Sequence, residues 1–331
     1  MSISIIGAGS WGTALAQAFS KKVDNILLYG RDKKVINDIN KTHQNKKYLP
    51  NIKLNKNIKA TENIKETIEN SEIIIIAIPT QTIKEFLEKI KNFNVKNKIF
   101  ISASKGIDID TLELVSEMIY KGLSIDEENV FALSGPSFAK EVAQGLPTAI
   151  TLAGEICKAK ELQNILSSEN FRLYISEDIK GVELAGAVKN VIAIATGISD
   201  GLNLGNNARA GLITRGLYEI NKLVNILGGK TETIYGLAGL GDLVLTATGN
   251  LSRNRRFGLL IGQGKKSEEA LKEIGQVVEG VKTVKAVKKI SEKYNLELPI
   301  SEMVYKIIYE GLSPKKAVKK LMSRQPKKEF Q

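Results

Sequence analysis

The chain has one cysteine, one histidine, one tryptophan and seven prolines in 331 residues. A lone Cys157 excludes a disulfide within the chain and fits a reducing compartment, so a cytoplasmic location is expected. Without clustered Cys and His there is no ligand set of zinc spacing, and no bound metal is expected. The single histidine, His43, precedes YLP in a loop-like segment with no nucleophile to pair with, which leaves it a surface or structural role. Aromatics make up only 6% of residues and none interleaves with a basic stretch, so the stacking surface of a nucleic-acid binder is missing. The longest apolar run, residues 73–79, is too short to span a bilayer, and the first residues carry no basic leader with a long apolar core. Neither an integral membrane segment nor a secretory signal is expected.

Hydrophobic residues at 43% and charged residues at 25% give an ordinary globular composition, with length for about two domains. The net charge of +12 comes mostly from lysines scattered among acids and asparagines. The one basic cluster is the C-terminal KKAVKKLMSRQPKKEFQ, read as a solvated face and a frayed end. A positive field that draws in anionic phosphate ligands is the second reading of that excess.

Short β-branched runs alternate with longer amphipathic stretches through the first half. The pattern predicts strands over 2–6, 25–29, 72–78, 98–102, 129–133, 148–152 and 171–175, with helices over 11–22, 82–91 and 112–121. Strands as apolar as IIIIAI imply a parallel sheet covered by helices on both faces. Beyond about residue 178 helical patterns take over, at 179–199, 207–227, 267–273, 283–294 and 300–310. The expected architecture is α/β: a Rossmann-type parallel-sheet domain over 1–178, then an all-α domain over 179–331, with ligands in the cleft between.

Gly7-Ala-Gly9-Ser-Trp-Gly12 follows the first strand and opens the first helix. Gly7 permits the tight turn, Gly9 lets a pyrophosphate approach the backbone, and Gly12 lets helix and strand pack closely. The helix N-terminus then offers free N–H groups to the phosphates, so a dinucleotide cofactor is expected. The second strand ends LLYGRD, with Arg31 near the position where NAD sites carry an acid and Asp32 one place later. A guanidinium there suits a 2′-phosphate, which favours NADP while leaving NAD open. An exposed Arg31 with Asp32 as a helix cap is the plain structural alternative.

The stretch ELAGAVKNVIAIATG is apolar but for the pair Lys189-Asn190. An ammonium buried in such a helix must be paired or used, because losing its hydration is expensive. Burial lowers a lysine pKa toward the working range, which suits a proton donor for the alkoxide formed by hydride transfer. A core ion pair with Glu183 or Asp242 is the structural alternative, and the pattern alone does not choose. GLAGLGDLVLTATGNLSRNRRFG adds Asp242, Thr246, Ser252, Arg253 and Asn254, of which Arg253 and Asn254 suit a phosphate. The turn Ser134-Gly-Pro-Ser137 leads from a strand into a helix over 138–143 and presents N–H groups to an anion.

Taken together, GAGSWGTALA, SASKGI, GPSFAKEV, VELAGAVKNVIAIATGI, GLAGLGDLVLT, SRNRRFG and GQVVEG, in that order, resemble the bacterial NAD(P)-dependent glycerol-3-phosphate dehydrogenase family over essentially the full length. The resemblance implies reversible reduction of dihydroxyacetone phosphate to sn-glycerol 3-phosphate for glycerophospholipid synthesis, by an enzyme that is often a homodimer. It makes Lys189 the catalytic acid–base residue and Lys105 a contact to cofactor and substrate. Gly135, Ser137, Asp242, Ser252, Arg253 and Asn254 match substrate positions, and Thr246 lies near the lysine in related enzymes. Ser10, Trp11, Arg31, Tyr48, Ala139, Arg253, Val277 and Glu279 match cofactor positions. Two competitors stay open on residues alone: a lysine-dependent dehydrogenase of a hydroxy acid or sugar acid, and a non-catalytic NADP-binding regulator.

Overall fold

The computed structural model describes residues 2–326, 328 and 329. Eight strands form one sheet: β1 (Ser2–Ile6), β2 (Asn25–Tyr29), β3 (Ile58–Thr61), β4 (Ile73–Ile76), β5 (Ile99–Ser102), β6 (Val130–Ser134), β7 (Thr148–Ala153) and β8 (Phe171–Ser176). Their spatial order is β3-β2-β1-β4-β5-β6-β7-β8, so the connections reverse direction between β1 and β4, where open α/β sheets bind their ligands. The helices are α1 (Ser10–Phe19), α2 (Lys33–Thr42), α3 (Ile64–Glu69), α4 (Ile83–Ile90), α5 (Val115–Leu123), α6 (Ala139–Ala143) and α7 (Ile156–Leu166). They cover both faces, and β4 shows why its strand reads IIII. Ile73 and Ile75 join the core that holds Leu15, Phe19 and Leu162, whereas Ile74 and Ile76 join the core of Phe86, Leu87 and Met118.

One edge departs from the wholly parallel sheet. β7 runs antiparallel to β6, with Leu133 opposite Leu152, and β8 is parallel to β7. A parallel return needs a crossover able to run back along the strand. The helix available, α6, has five residues, about 7.5 Å at 1.5 Å per residue, against about 17 Å for a five-residue strand. The chain therefore turns back instead. β3, four residues long at the other edge, leaves little trace in the hydrophobic pattern because only Ile58 and Ala60 of it are buried.

From residue 179 onward the described chain is helical: α8 (Ile179–Gly201), α9 (Gly205–Ile226), α10 (Thr231–Ile234), α11 (Asp242–Thr248), α12 (Arg253–Gly262), α13 (Ser267–Ile274), α14 (Glu279–Lys293), α15 (Pro299–Tyr309) and α16 (Pro314–Met322). The basic C-terminal cluster is not simply a frayed end, since α16 forms within it; its residues 327, 330 and 331 lie outside the described residues. α8 is long and apolar enough to cross a bilayer, yet its whole apolar window is buried inside the protein. It starts at Asp178, whose carboxylate caps Gly181 N–H at 2.9 Å.

Glycines let α12 lie directly on α8. A Cβ on Gly197 would stand 2.0 Å from the Arg255 carbonyl oxygen, and one on Gly258 would stand 2.1 Å from that of Ile194. Glu183 ties α8 to the sheet half by accepting the Ser116 N–H at 3.1 Å, in the first turn of α5, together with the Ser116 hydroxyl. Burial pushes this carboxyl up to about 7. Glu183 is therefore spent on a helix cap and does not pair with Lys189.

Candidate active site at the sheet–helix cleft

Lys189 sits mid-way along α8 with 6% of its side chain exposed. Its Nζ donates to Asp242 Oδ1 at 2.8 Å and to Thr246 Oγ1 at 2.5 Å. Asp242 heads α11, just after the π-helical turn Leu237–Gly241, and Thr246 lies one turn later on the same face, 3.2 Å from Asp242 Oδ1. The other carboxylate oxygen accepts Lys105 Nζ at 2.6 Å. One carboxylate thus holds two ammoniums, one from each half of the molecule.

The charges set the proton affinities. Burial, aided by the like charges of Lys105 and Arg253, lowers Lys189 to about 8 even though Asp242 pulls the other way. Asp242 is itself buried, which opposes its charge, but the two ammoniums hold it below the usual carboxylate range. An ammonium has three donors, and two of those of Lys189 are engaged by Asp242 and Thr246. Among the described residues no acceptor is found for the third.

Lys105 belongs to the loop after β5, and several contacts fix that loop. Trp11 Nε1 donates to the Ala103 carbonyl at 3.1 Å, and Ser104 Oγ donates to the Ile78 carbonyl at 2.6 Å. A Cβ on Gly106 would stand 2.4 Å from Thr80 Oγ1, so no larger residue fits there. Lys105 Nζ and Ser137 Oγ both donate to the Gly135 carbonyl, at 3.0 and 2.9 Å. Ser134 and Lys105 pack directly over Gly186, where a Cβ would stand 2.5 Å from Ser134 Oγ.

The phosphate-suited residues start α12. Ser252 is buried and its hydroxyl caps the helix, accepting Arg255 N–H at 3.2 Å. Arg253 is exposed, with Nη1 3.2 Å from Gln276 Oε1. Asn254 donates to Asn190 Oδ1 at 2.9 Å and accepts Gly280 N–H at 3.0 Å, linking α8, α12 and α14. Asn190 is a residue of this site that the motifs do not single out; its signal in the sequence is its place as the second polar residue in an apolar run. Val277 is exposed just before α14, and Glu279 begins that helix with its carboxylate accepting the Thr80 N–H.

The other cofactor candidates gather at the carboxyl end of β1. Gly7 has φ +119°, and a Cβ there would stand 2.6 Å from the Ala77 carbonyl oxygen. A Cβ on Gly12 would fall 2.0 Å from the Gly7 oxygen, whereas among the described residues nothing beyond its two chain neighbours lies within 4 Å of the corresponding point on Gly9. Gly9 is the N-cap of α1, without a side-chain cap, so the open side of this turn suits a pyrophosphate. Ser10 Oγ donates to the Tyr48 carbonyl at 2.9 Å. Asp32 caps α2 and pairs with Lys47 Nζ at 2.8 Å, leaving Arg31 exposed at the end of β2. Ala139 heads the short α6 beyond Ser137. His43 ends α2 in a left-handed conformation, φ +51°.

Comparison with known proteins matches the NAD-dependent glycerol-3-phosphate dehydrogenase N-terminus model over residues 2–160 and the corresponding C-terminus model over residues 178–319. The chain belongs to the NAD(P)-dependent glycerol-3-phosphate dehydrogenase family. It is 48% identical to glycerol-3-phosphate dehydrogenase [NAD(P)+] of Thermoanaerobacter sp. (strain X514) over 331 residues, 100% of this chain and 99% of that one. The crystal structure of the Coxiella burnetii glycerol-3-phosphate dehydrogenase superposes with TM-score 0.93 at 42% identity, covering 98% of this chain and 99% of that one. The Saccharomyces cerevisiae enzyme superposes at 0.83 and 29% identity, covering 96% and 98%. Membership makes the chain an oxidoreductase with glycerol-3-phosphate dehydrogenase [NAD(P)+] activity.

Proposed function

We propose that the enzyme reduces dihydroxyacetone phosphate to sn-glycerol 3-phosphate, reversibly, with Lys189 as the group that gives and takes the proton. The carrying observation is the buried Lys189 Nζ, tied to Asp242 and Thr246 with one donor left for substrate. A nicotinamide dinucleotide held at the turn of Gly7, Gly9 and Gly12 would supply the hydride for C2. The C2 oxygen then needs a proton, and an ammonium with a pKa of about 8 is mostly charged at neutral pH yet ready to give it up. Asp242 orients Lys189 through one oxygen and Lys105 through the other. In the oxidation direction neutral Lys189 takes the hydroxyl proton. Arg253 and Asn254, at the start of α12, anchor the substrate phosphate by charge-assisted hydrogen bonds.

On this reading residues 1–178 hold the cofactor and 179–331 supply substrate binding and catalysis, the product serving glycerophospholipid synthesis. NADP is preferred, because Arg31 stands exposed at the end of β2 while Asp32 is occupied by its helix and by Lys47. The enzyme works in the cytoplasm as a homodimer, which light scattering of the purified protein tests.

Lys189→Ala is expected to abolish turnover of dihydroxyacetone phosphate while leaving NADPH affinity within a few-fold. Substantial turnover in that variant removes Lys189 from the chemistry. Arg31→Ala should raise KM for NADPH while leaving KM for NADH in place, and an unchanged NADPH-to-NADH ratio overturns the cofactor preference.

A further inference from the structure

A third charged cluster, which the chemistry above does not use, lies beyond the phosphate anchor. Asp200 is on the last turn of α8, with 6% of its side chain exposed, and two guanidiniums hold it. Arg209 of α9 gives Nε at 2.8 Å and one Nη at 2.6 Å to Oδ1. Arg255 of α12 gives Nε at 2.8 Å and Nη2 at 2.7 Å to Oδ2. The remaining Arg255 nitrogen donates to Asn250 Oδ1 at 2.9 Å, in the loop that leads into α12.

Both ends of the Asp200–Arg255 pair sit badly with their own helices. An acid in the last turn of α8 meets the negative end of the helix dipole, and a cation in the first turn of α12 meets the positive end. A pair serving only α8 or α12 would carry the opposite signs. What the pair does achieve is orientation. Arg255 lies one and two residues from Asn254 and Arg253, and its planar fork locks that first turn onto the helix that carries Lys189. The glycine contacts of Gly197 and Gly201 with α12 set the spacing of the two helices, and Asp200 sets the rotation of the α12 start.

We propose that Asp200, with Arg255 and Arg209, is a positioning device for substrate phosphate: it fixes where Arg253 and Asn254 meet the phosphate relative to Lys189. The proposal rests on the reading that these two residues anchor the phosphate. It separates from general stabilisation because its effect follows the phosphate group. Binding energy from a remote phosphate is used to orient the reacting carbon, so a displaced anchor lowers kcat/KM on the whole substrate and spares a substrate that lacks the group.

The test compares dihydroxyacetone phosphate with dihydroxyacetone, at saturating NADPH, in Asp200→Asn, Arg255→Lys and Arg253→Ala. Asp200→Asn keeps the shape and removes the charge; Arg255→Lys keeps the charge and loses the fork, and it carries the test if Asp200→Asn does not fold. Each is expected to lower kcat/KM on dihydroxyacetone phosphate by 10-fold or more and on dihydroxyacetone by less than 3-fold, and Asp200→Asn and Arg255→Lys are expected to keep NADPH affinity within 2-fold. Equal losses on both substrates, or no loss in a folded variant, assign the cluster to structure alone and overturn the proposal. If Arg253→Ala itself leaves the preference for the phosphorylated substrate intact, the anchor reading fails and the positioning role falls with it. If Arg253→Ala removes that preference and the other two variants keep it, only the positioning role is lost.

Discussion

Replacing Asp242 by Asn leaves the cleft nearly unchanged in shape and removes the charge that two lysines share. At 2.8 Å from Lys189 Nζ the carboxylate is the main group favouring the ammonium, against burial and two like charges. A unit charge at about 4 Å in surroundings of effective dielectric about 20 contributes about 4 kcal/mol. The amide dipole recovers part of that, so a net loss of about 2.7 kcal/mol is reasonable and lowers the lysine pKa from about 8 to roughly 6. On the proposed mechanism reduction needs the charged form. At pH 7.5 its fraction falls from about three-quarters to about 3%, a loss of about 25-fold, and most of it returns below about pH 5.5. The assay is the pH profile of kcat/KM for dihydroxyacetone phosphate, read from NADPH absorbance in wild type and Asp242→Asn. A basic limb that stays near pH 8 in the variant, or a loss equal at every pH, would refute Lys189 as the titrating acid.

The glycine turn gives a paired prediction. Gly12→Ala puts a methyl 2.0 Å from the Gly7 oxygen and should lower Tm markedly, whereas Gly9→Ala has open space and should leave Tm in place while weakening cofactor binding 10-fold or more; thermal melts and NADPH titration check both, and a Gly9→Ala variant of normal affinity removes that side of the turn from the pyrophosphate site. Burial also raises Glu219, the cap of α15 through Ile300 and Ser301 N–H, from 4.5 to about 7. The folded state then holds a proton that the unfolded chain releases, so this stability is full below about pH 4.5 and is lost as pH rises through about 7. Tm should fall between pH 5 and 7.5, and Glu219→Gln, which imitates the protonated carboxyl, should flatten that slope; an unchanged slope shows Glu219 to be charged when folded.

Much of the scaffold was legible because its signals are local. The β4 run IIII needs two buried faces, and the spacing of Gly7, Gly9 and Gly12 needs a strand-to-helix turn; both follow from a few adjacent residues. The oddity of Lys189 in an apolar helix was equally visible, but its partner was not. Glu183 and Asp242 were equal candidates by chemistry. Glu183 lies six residues before Lys189, on another face of α8, and there meets the buried first-turn N–H of Ser116. The same limit hid the Asn190–Asn254 bond and the reversal at β7. Each depends on which distant segments meet, and hydrophobic period carries no record of that.

The depth of Lys189 raises a physical question, since a lysine at the cleft rim would reach the same oxygen without losing its hydration. A rim lysine keeps an ordinary pKa near 10.4 and at neutral pH gives up its proton reluctantly. Burial moves that value into the working range, but an unpaired buried ammonium would go further and lose its charge altogether. Asp242 stops the fall, and it is itself held ionised by both ammoniums, Lys189 on its own side and Lys105 arriving from the sheet half. The lysine pKa near 8 is therefore a property of the docked halves and not of α8 alone. A chain whose halves are apart has Asp242 without Lys105, and in that state Lys189 and Asp242 lose the balance that poises the proton. If Lys189 is the acid, as proposed, docking of the two halves and poising of its proton go together.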